Sequence, residues 1–156
     1  MSDIRAALDR YAKGPDALAA AVSGLSTAHL DALPIPGTWS IRQIVVHLLD
    51  SDLAATHRMR RIVAEDLPLI IAYDETAFAS RLAYDKADIA LVLRLFADTR
   101  RFTRDWLDTL SPDAFARAGV HNQRGKVTLA DIVRMYADHV DHHLAFITRK
   151  RTLLGV

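Results

Sequence analysis

Apolar residues recur along most of this chain at intervals of three and four, the spacing that lines one face of an α-helix. The clearest series is Ile41, Ile44, Val45, Leu48, Ala55, Met59 and Ile62. Ser40 followed by Gln43 forms a capping box ahead of it, and Trp39 is placed to staple onto Ile44. The pattern predicts a helix to about Glu65, some 26 residues or roughly 39 Å long. An earlier helix carries Ile4, Leu8 and Tyr11, with Ser2 or Asp3 as its cap. Gly14-Pro15 interrupts it, Pro15 starts a resumed helix through Val22, and Gly24 ends that one.

Ser26 to Leu33 predicts one short helical turn, and Leu33-Pro34-Ile35-Pro36-Gly37 must be extended. A third long helix follows Lys86, with Val92, Leu95, Phe96, Thr99, Phe102, Trp106 and Leu110 on its inner face. Ser111-Pro112 opens another short turn, and Gly119 to Lys126 forms a loop centred on Gly125. Thr128 with Asp131 caps the fourth long helix, which runs to Arg149-Lys150-Arg151, where cations suit a helix C-terminus. No strand is predicted. The expectation is an all-α, four-helix bundle in a single domain over residues 1–156. The connection Asp66 to Lys86, about 20 residues with Pro68 and the polar run Tyr73-Asp74-Glu75-Thr76, is long for a compact domain and needs a purpose.

Composition narrows the chemistry more than the fold. Apolar residues make up 51%, charged residues 25%, and the net charge is +1, so no charge excess points to nucleic acid or an anionic membrane. There are no cysteines, which removes disulfides, thiolate metal sites and a cysteine nucleophile. Any metal must be held by histidines and carboxylates. The N-terminus lacks a basic start and apolar block, and the longest apolar run, Leu67 to Ala72, is too short to span a bilayer. A cytoplasmic protein with no membrane partner is expected.

Three of the seven histidines, His139, His142 and His143, fall between Tyr136 and Phe146. On a helix, Ile132, Tyr136, His139, His143 and Ile147 form one narrow stripe, and His142 lies about 60° off its edge. Two imidazoles one turn apart on a buried face are a ready pair of ligands for a divalent metal, although such pairs also arise as ordinary core histidines. A third ligand would decide between these. His47, on the shoulder of the second long helix beside Ile44, Leu48 and Ser51, is the candidate, whereas His57 and His29 are expected to be solvated. His47 lies about 10 Å along its helix, and His143 and His139 lie roughly 10–16 Å from the end of theirs. The three are level only if the second and fourth long helices run antiparallel. A crossover at 66–86 would achieve this by leaving the second and third helices parallel.

The segment W-S-I-R-Q-I-V-V-H at Trp39 to His47, together with H-V-D-H-H at His139 to His143, resembles the DinB superfamily of metal-binding four-helix bundles. P-G-T-W-S at Pro36 to Ser40, A-Y-D-E at Ala72 to Glu75 and H-N-Q-R-G-K-V-T-L at His121 to Leu129 resemble its YfiT-like, bacillithiol-S-transferase-like branch. The resemblance spans nearly the whole chain after residue 14. It implies an up-down-down-up bundle with a long crossover between helices two and three, with His47, His139 and His143 as metal ligands. It also implies a possible homodimer. Where many relatives carry a histidine, this chain has Asp52.

Three histidines leave a divalent ion open to water or substrate, a catalytic pattern. Zinc is the first expectation, and nickel or another first-row metal also suits imidazoles. Two enzyme readings follow. A low-molecular-weight thiol cosubstrate could attack a small electrophile, with the metal replacing the absent cysteine, or water activated by the ion could hydrolyse an ester or amide. The resemblance favours the S-transferase over the hydrolase. A non-enzymatic metal-binding or interaction module is the rival. Asp50, Asp138 and Asp141 are candidates to orient ligand imidazoles, His142 to line the mouth of the site, and the loop residues Tyr73, Asp74, Glu75 and His121 to meet a small-molecule substrate.

Overall fold

A computed structural model describes residues 2–156, the Ser2 side chain excepted, so the capping role expected of Ser2 lies outside the described residues. Four long helices form the bundle: α1 (Ser2–Val22), α3 (Ile41–Ala64), α5 (Ile89–Asp108) and α6 (Leu129–Leu154). Between them lie α2 (Thr27–Asp31) and α4 (Glu75–Arg81). The expected capping boxes form. The Ser40 hydroxyl accepts from Gln43 N–H at 3.2 Å while Gln43 Oε1 accepts from Ser40 N–H at 2.9 Å, and Thr128 and Asp131 make the same exchange ahead of α6.

Cross-helix pairs fix the topology. Along α1 and α6, Asp3 meets Arg134, Arg10 meets Asp138, and Arg151 donates to the Ala21 carbonyl, so these helices are parallel. Asp52 with Arg100 and Thr56 with Thr103 make α3 and α5 parallel. His47 beside His139 and Arg58 on Tyr136 make α3 antiparallel to α6. The order is up-down-down-up. The segment between α3 and α5 returns alongside α3, where the Tyr84 hydroxyl donates to Asp50 at 2.6 Å.

Three expectations need correction. The chain has a small sheet, β1 (Leu69–Ile70), β2 (Ala118–His121) and β3 (Gly125–Thr128), in that order. β1 is parallel to β2, with Leu69 opposite Val120, and β2 and β3 form a hairpin with His121 opposite Gly125. Four-residue strands are too short to show an alternating pattern, and Gly125, at φ +73°, takes the left-handed turn that an L side chain resists. Second, α1 runs unbroken through Pro15. Proline cannot donate to the Tyr11 carbonyl four residues back, and Arg100 Nη1 takes that carbonyl instead at 3.0 Å. A side chain at position 14 would fall on that guanidinium, so Gly14 is the residue that admits it. Third, the inner line of α5 is Val92, Phe96, Arg100, Thr103 and Leu107, while Leu95 and Phe102 are exposed.

Arg100 is 1% exposed and contacts every other long helix. It grips Asp52 of α3 through two hydrogen bonds of 2.5 and 3.0 Å, and donates to Tyr11 O of α1 and Tyr136 O of α6. The Tyr11 and Phe96 rings cover its Cζ at 4.2 and 4.7 Å. This polar layer divides the core in two. One apolar cluster holds Leu18, Ile44, Leu48, Phe96 and Ile147, and the other Leu8, Met59, Ile62, Leu107 and Ile132.

Burial pushes the Asp52 carboxyl above the usual carboxylate range and Arg100 opposes that. Removing either partner strands the other charge. Asp52→Ala should therefore lower unfolding free energy by about 3–5 kcal/mol in urea titrations, while Asp52→Leu combined with Arg100→Met should lose clearly less than the sum of the single variants. Equal, additive and small losses would show that the layer is dispensable.

Candidate metal centre

His139 and His143 sit one turn apart on the inner stripe of α6, and the capping box at Ser40 starts α3 so that His47 faces them across the antiparallel pair. The Nε2 atoms converge. His139 Nε2 lies 3.1 Å from His47 Nε2 and 3.0 Å from His143 Nε2, and the three side chains each offer a nitrogen within 4.8 Å of the others. His47 is fully buried and His143 nearly so; His139 is half-buried.

Burial holds all three rings neutral. It lowers the His47 pKa to about 4. His139 and His143 fall to about 3, through burial first and then through the neighbouring imidazoles. As neutral rings they can hydrogen-bond only through the shared His139 Nε2, whereas with their protons on Nδ1 all three Nε2 lone pairs are free to bind one cation. Donors arranged tetrahedrally around an ion, with metal–nitrogen distances of about 2.0–2.1 Å, lie about 3.3–3.4 Å apart, close to the two distances from His139 Nε2 to its partners. The residues present thus fit a divalent first-row ion, and no carboxylate joins the cluster among the described residues.

The surroundings explain how the site is held. The Trp39 ring packs against His47 at 4.8 Å and stacks over His143 at 6.5 Å. The loop that carries it is pinned by Lys150, whose Nζ donates to Thr38 Oγ1 at 2.6 Å. Lys150 is therefore buried, and it is Arg151 that meets helix-end carbonyls, those of Ala21 in α1 and Ser23 just past its end. Among the described residues, neither His47 Nδ1 nor His143 Nδ1 has a hydrogen-bond partner. The three aspartates expected to orient them are engaged elsewhere: Asp50 by Tyr84, and Asp138 and Asp141 by Arg10. Asp52 belongs to the Arg100 layer.

A cavity of about 320 Å³ opens beside His139. Besides His139 it brings together five residues singled out as candidates in the sequence: Tyr73, Glu75, His121, Asp138 and His142. Burial pushes the Tyr73 hydroxyl up to about 12, and raises Glu75 above the ordinary carboxylate range against the pull of Arg58 and Arg124. His121, on β2 rather than in a loop, accepts from Gln123 N–H through Nδ1 at 3.1 Å, which leaves its proton on Nε2. Asp74 does not line the cavity; it caps α4 by accepting from Ala77 N–H at 2.9 Å. His142 is exposed, its ring edge-on to His143 at 5.3 Å. His57 is exposed too, and His29 serves as the return arm of the capping box at Ser26. Sequence reading missed Arg58, Arg124, Ser51 and Tyr136 as cavity walls. Only the short step from Arg58 to the His57 already considered could have pointed there.

Comparison with known proteins agrees with this architecture. The profile of the DinB superfamily matches residues 10–147. A Bacillus pumilus protein provisionally named a metal-dependent hydrolase is 33% identical over 93% of this chain and 83% of its own. Bacillus subtilis YfiT, with the same provisional name, is 30% identical over 90% of this chain and 80% of its own. The solved structure of that YfiT, described as having an unusual four-helix bundle topology, superposes with a TM-score of 0.92 at 28% identity, covering 97% of this chain and 87% of YfiT. A mycothiol-dependent maleylpyruvate isomerase shares the fold, with a TM-score of 0.72 at 14% identity over 91% of this chain and 59% of the isomerase. Among the described residues, no helix is long and apolar enough to cross a membrane.

The depressed histidine pKa values carry a sign for stability. Unfolded histidines titrate near 6.5, at roughly the model-peptide value, so below that the metal-free unfolded chain binds more protons than the folded one. The contribution is fully present above about pH 6.5 and is lost as pH falls toward 3–4. Imidazole NMR titration of metal-free protein should find His47, His139 and His143 still neutral at pH 5, and the stability measured by urea unfolding should fall between pH 7 and 5. Rings that titrate near 6.5 would contradict the buried geometry.

Proposed function

The chain belongs to the DinB superfamily, and on that premise we propose that it is a metal-dependent enzyme that transfers a low-molecular-weight thiol to a small electrophile. The observation that carries this is the convergence of the His47, His139 and His143 Nε2 atoms beside a cavity of about 320 Å³. These three residues are proposed as the ligands of a divalent ion, zinc first and nickel next.

A bound ion supplies Lewis-acid charge that favours the anionic form of a thiol or a water at neutral pH. The chain's own residues do the rest. Three neutral donors leave that charge undiminished, which a carboxylate ligand would reduce. Trp39 lays apolar ring surface against His47 and His143, so an anion near them is less screened than in open water. Tyr73, Glu75 and His121 wall the space a substrate would occupy. With no cysteine in the chain, a sulfur nucleophile must arrive as a cosubstrate.

The name of the mycothiol-dependent isomerase shows only that another protein of this fold works with a thiol, which supports feasibility. Hydrolysis is the second reading, favoured by the names of the Bacillus relatives. A cytoplasmic location and a homodimer belong to the proposal as well.

Replacing His47, His139 or His143 by Ala should abolish stoichiometric metal, measured by elemental analysis, while His29→Ala and His57→Ala keep it. His142→Ala should keep the metal, at an affinity lower by up to about 10–100-fold. On cobalt-substituted protein, 2-mercaptoethanol should produce a thiolate-to-metal charge-transfer band, absent in His143→Ala, and turnover of an electrophile should need both metal and thiol. Metal-dependent ester cleavage indifferent to thiol would overturn the transferase in favour of the hydrolase, and unchanged metal in His47→Ala would overturn the site.

A further inference from the structure

Arg58 differs from the other arginines near it. Arg61, almost one turn on, takes Glu65, and Arg60 lies between the Phe102 and Trp106 rings. Arg58 instead turns to the cavity beside His139. Its Nη1 donates to the Tyr136 hydroxyl at 2.9 Å and its Nη2 to the Ile71 carbonyl at 2.7 Å. Both acceptors are neutral. Among the described residues no carboxylate oxygen lies within 4.0 Å of a nitrogen of Arg58, nor of Arg124 on the opposite wall. Two of the five guanidinium N–H groups are spent in fixing its plane, and three remain.

We propose that Arg58 recognises a carboxylate on the molecule that occupies this cavity. The charges that face it favour an anion. α3 contributes Arg58 and the β2–β3 turn Arg124, against Glu75 from α4 alone, because Asp138 of α6 is held by Arg10 at 2.7 Å. Burial, followed by the Arg58 and Arg124 charges, lowers the pKa of His121, so this ring does not oppose an anion and does not supply the charge that would bind one. A carboxylate accepts a guanidinium fork through two parallel hydrogen bonds. Tyr136 links the fork to the histidine cluster: its hydroxyl accepts from Arg58 and its ring stands edge-on to His139 at 5.9 Å. A small acid bound there would place its next few atoms toward that cluster. The inference rests on the proposed metal chemistry only for what then happens to the bound acid.

Isothermal titration of zinc-loaded protein with succinate and with succinamide, its neutral isostere, tests this. Succinate should bind about tenfold or more tightly, the range expected of charge-assisted hydrogen bonds. Arg58→Met should erase the preference with zinc content unchanged, and Arg58→Lys should keep part of it. In metal-free wild-type protein the preference should persist, which excludes the ion, and Arg124→Met should leave it in place, which keeps the assignment to Arg58 testable even if Arg58→Met does not fold. Equal affinities for the two compounds would overturn the assignment. So would a preference that survives Arg58→Met or disappears with the zinc, because the carboxylate would then be on the ion. Zinc content and the cobalt band judge the metal reading separately, so either proposal can fail alone.

Discussion

One buried guanidinium organises this bundle. Arg100 takes Asp52 from α3, the Tyr11 carbonyl from α1 and the Tyr136 carbonyl from α6. A buried ion pair adds little net stability over a well-packed apolar layer, because desolvation costs nearly what attraction returns. Its effect here is on register. Asp52 lies five residues after His47, and Tyr136 three before His139, so the grip that aligns α3 with α6 also brings the histidines level. A slip of one turn in either helix would break the polar layer and the imidazole cluster together.

Much of this was legible in the sequence, and the exceptions have physical causes. The capping boxes at Ser40 and Thr128 use side chain–backbone bonds three residues apart, so they needed no tertiary knowledge. The antiparallel course of α3 and α6 followed from asking where His47, His139 and His143 could be level. The inner face of α5 was misphased because Arg100 and Thr103 occupy it, while Leu95 and Phe102 are turned to solvent. Apolar periodicity fails where a charge is deliberately buried. The same arginine hid the continuity of α1, since the carbonyl left free by Pro15 is satisfied from another helix. Strands β1, β2 and β3 depend on each other across the crossover, and nothing local announces them.

The site shows the same division. Its three converging imidazoles were readable from helical spacing. The cavity next to them was not, because it is assembled from α3, the crossover, the β2–β3 turn and α6. Tyr73, Glu75 and His121 were singled out as loop residues, and the fold gathers them around Arg58, which was not. Asp52, at a position where many relatives are expected to have histidine, is accounted for by the Arg100 layer. The expected aspartate partners of these imidazoles are used instead by Tyr84 and Arg10. His47 and His143 are therefore oriented by packing, chiefly against Trp39 and each other.

The central claim is that the bundle holds three imidazoles around one ion and leaves room for a sulfur ligand. X-ray absorption at the zinc edge tests it directly. The account predicts three imidazole nitrogens at about 2.0–2.1 Å in the loaded protein, with one sulfur at about 2.3 Å after a small thiol is added. A shell with fewer than three imidazoles would contradict the site, and a three-imidazole shell that gains no sulfur would contradict the thiol chemistry built on it.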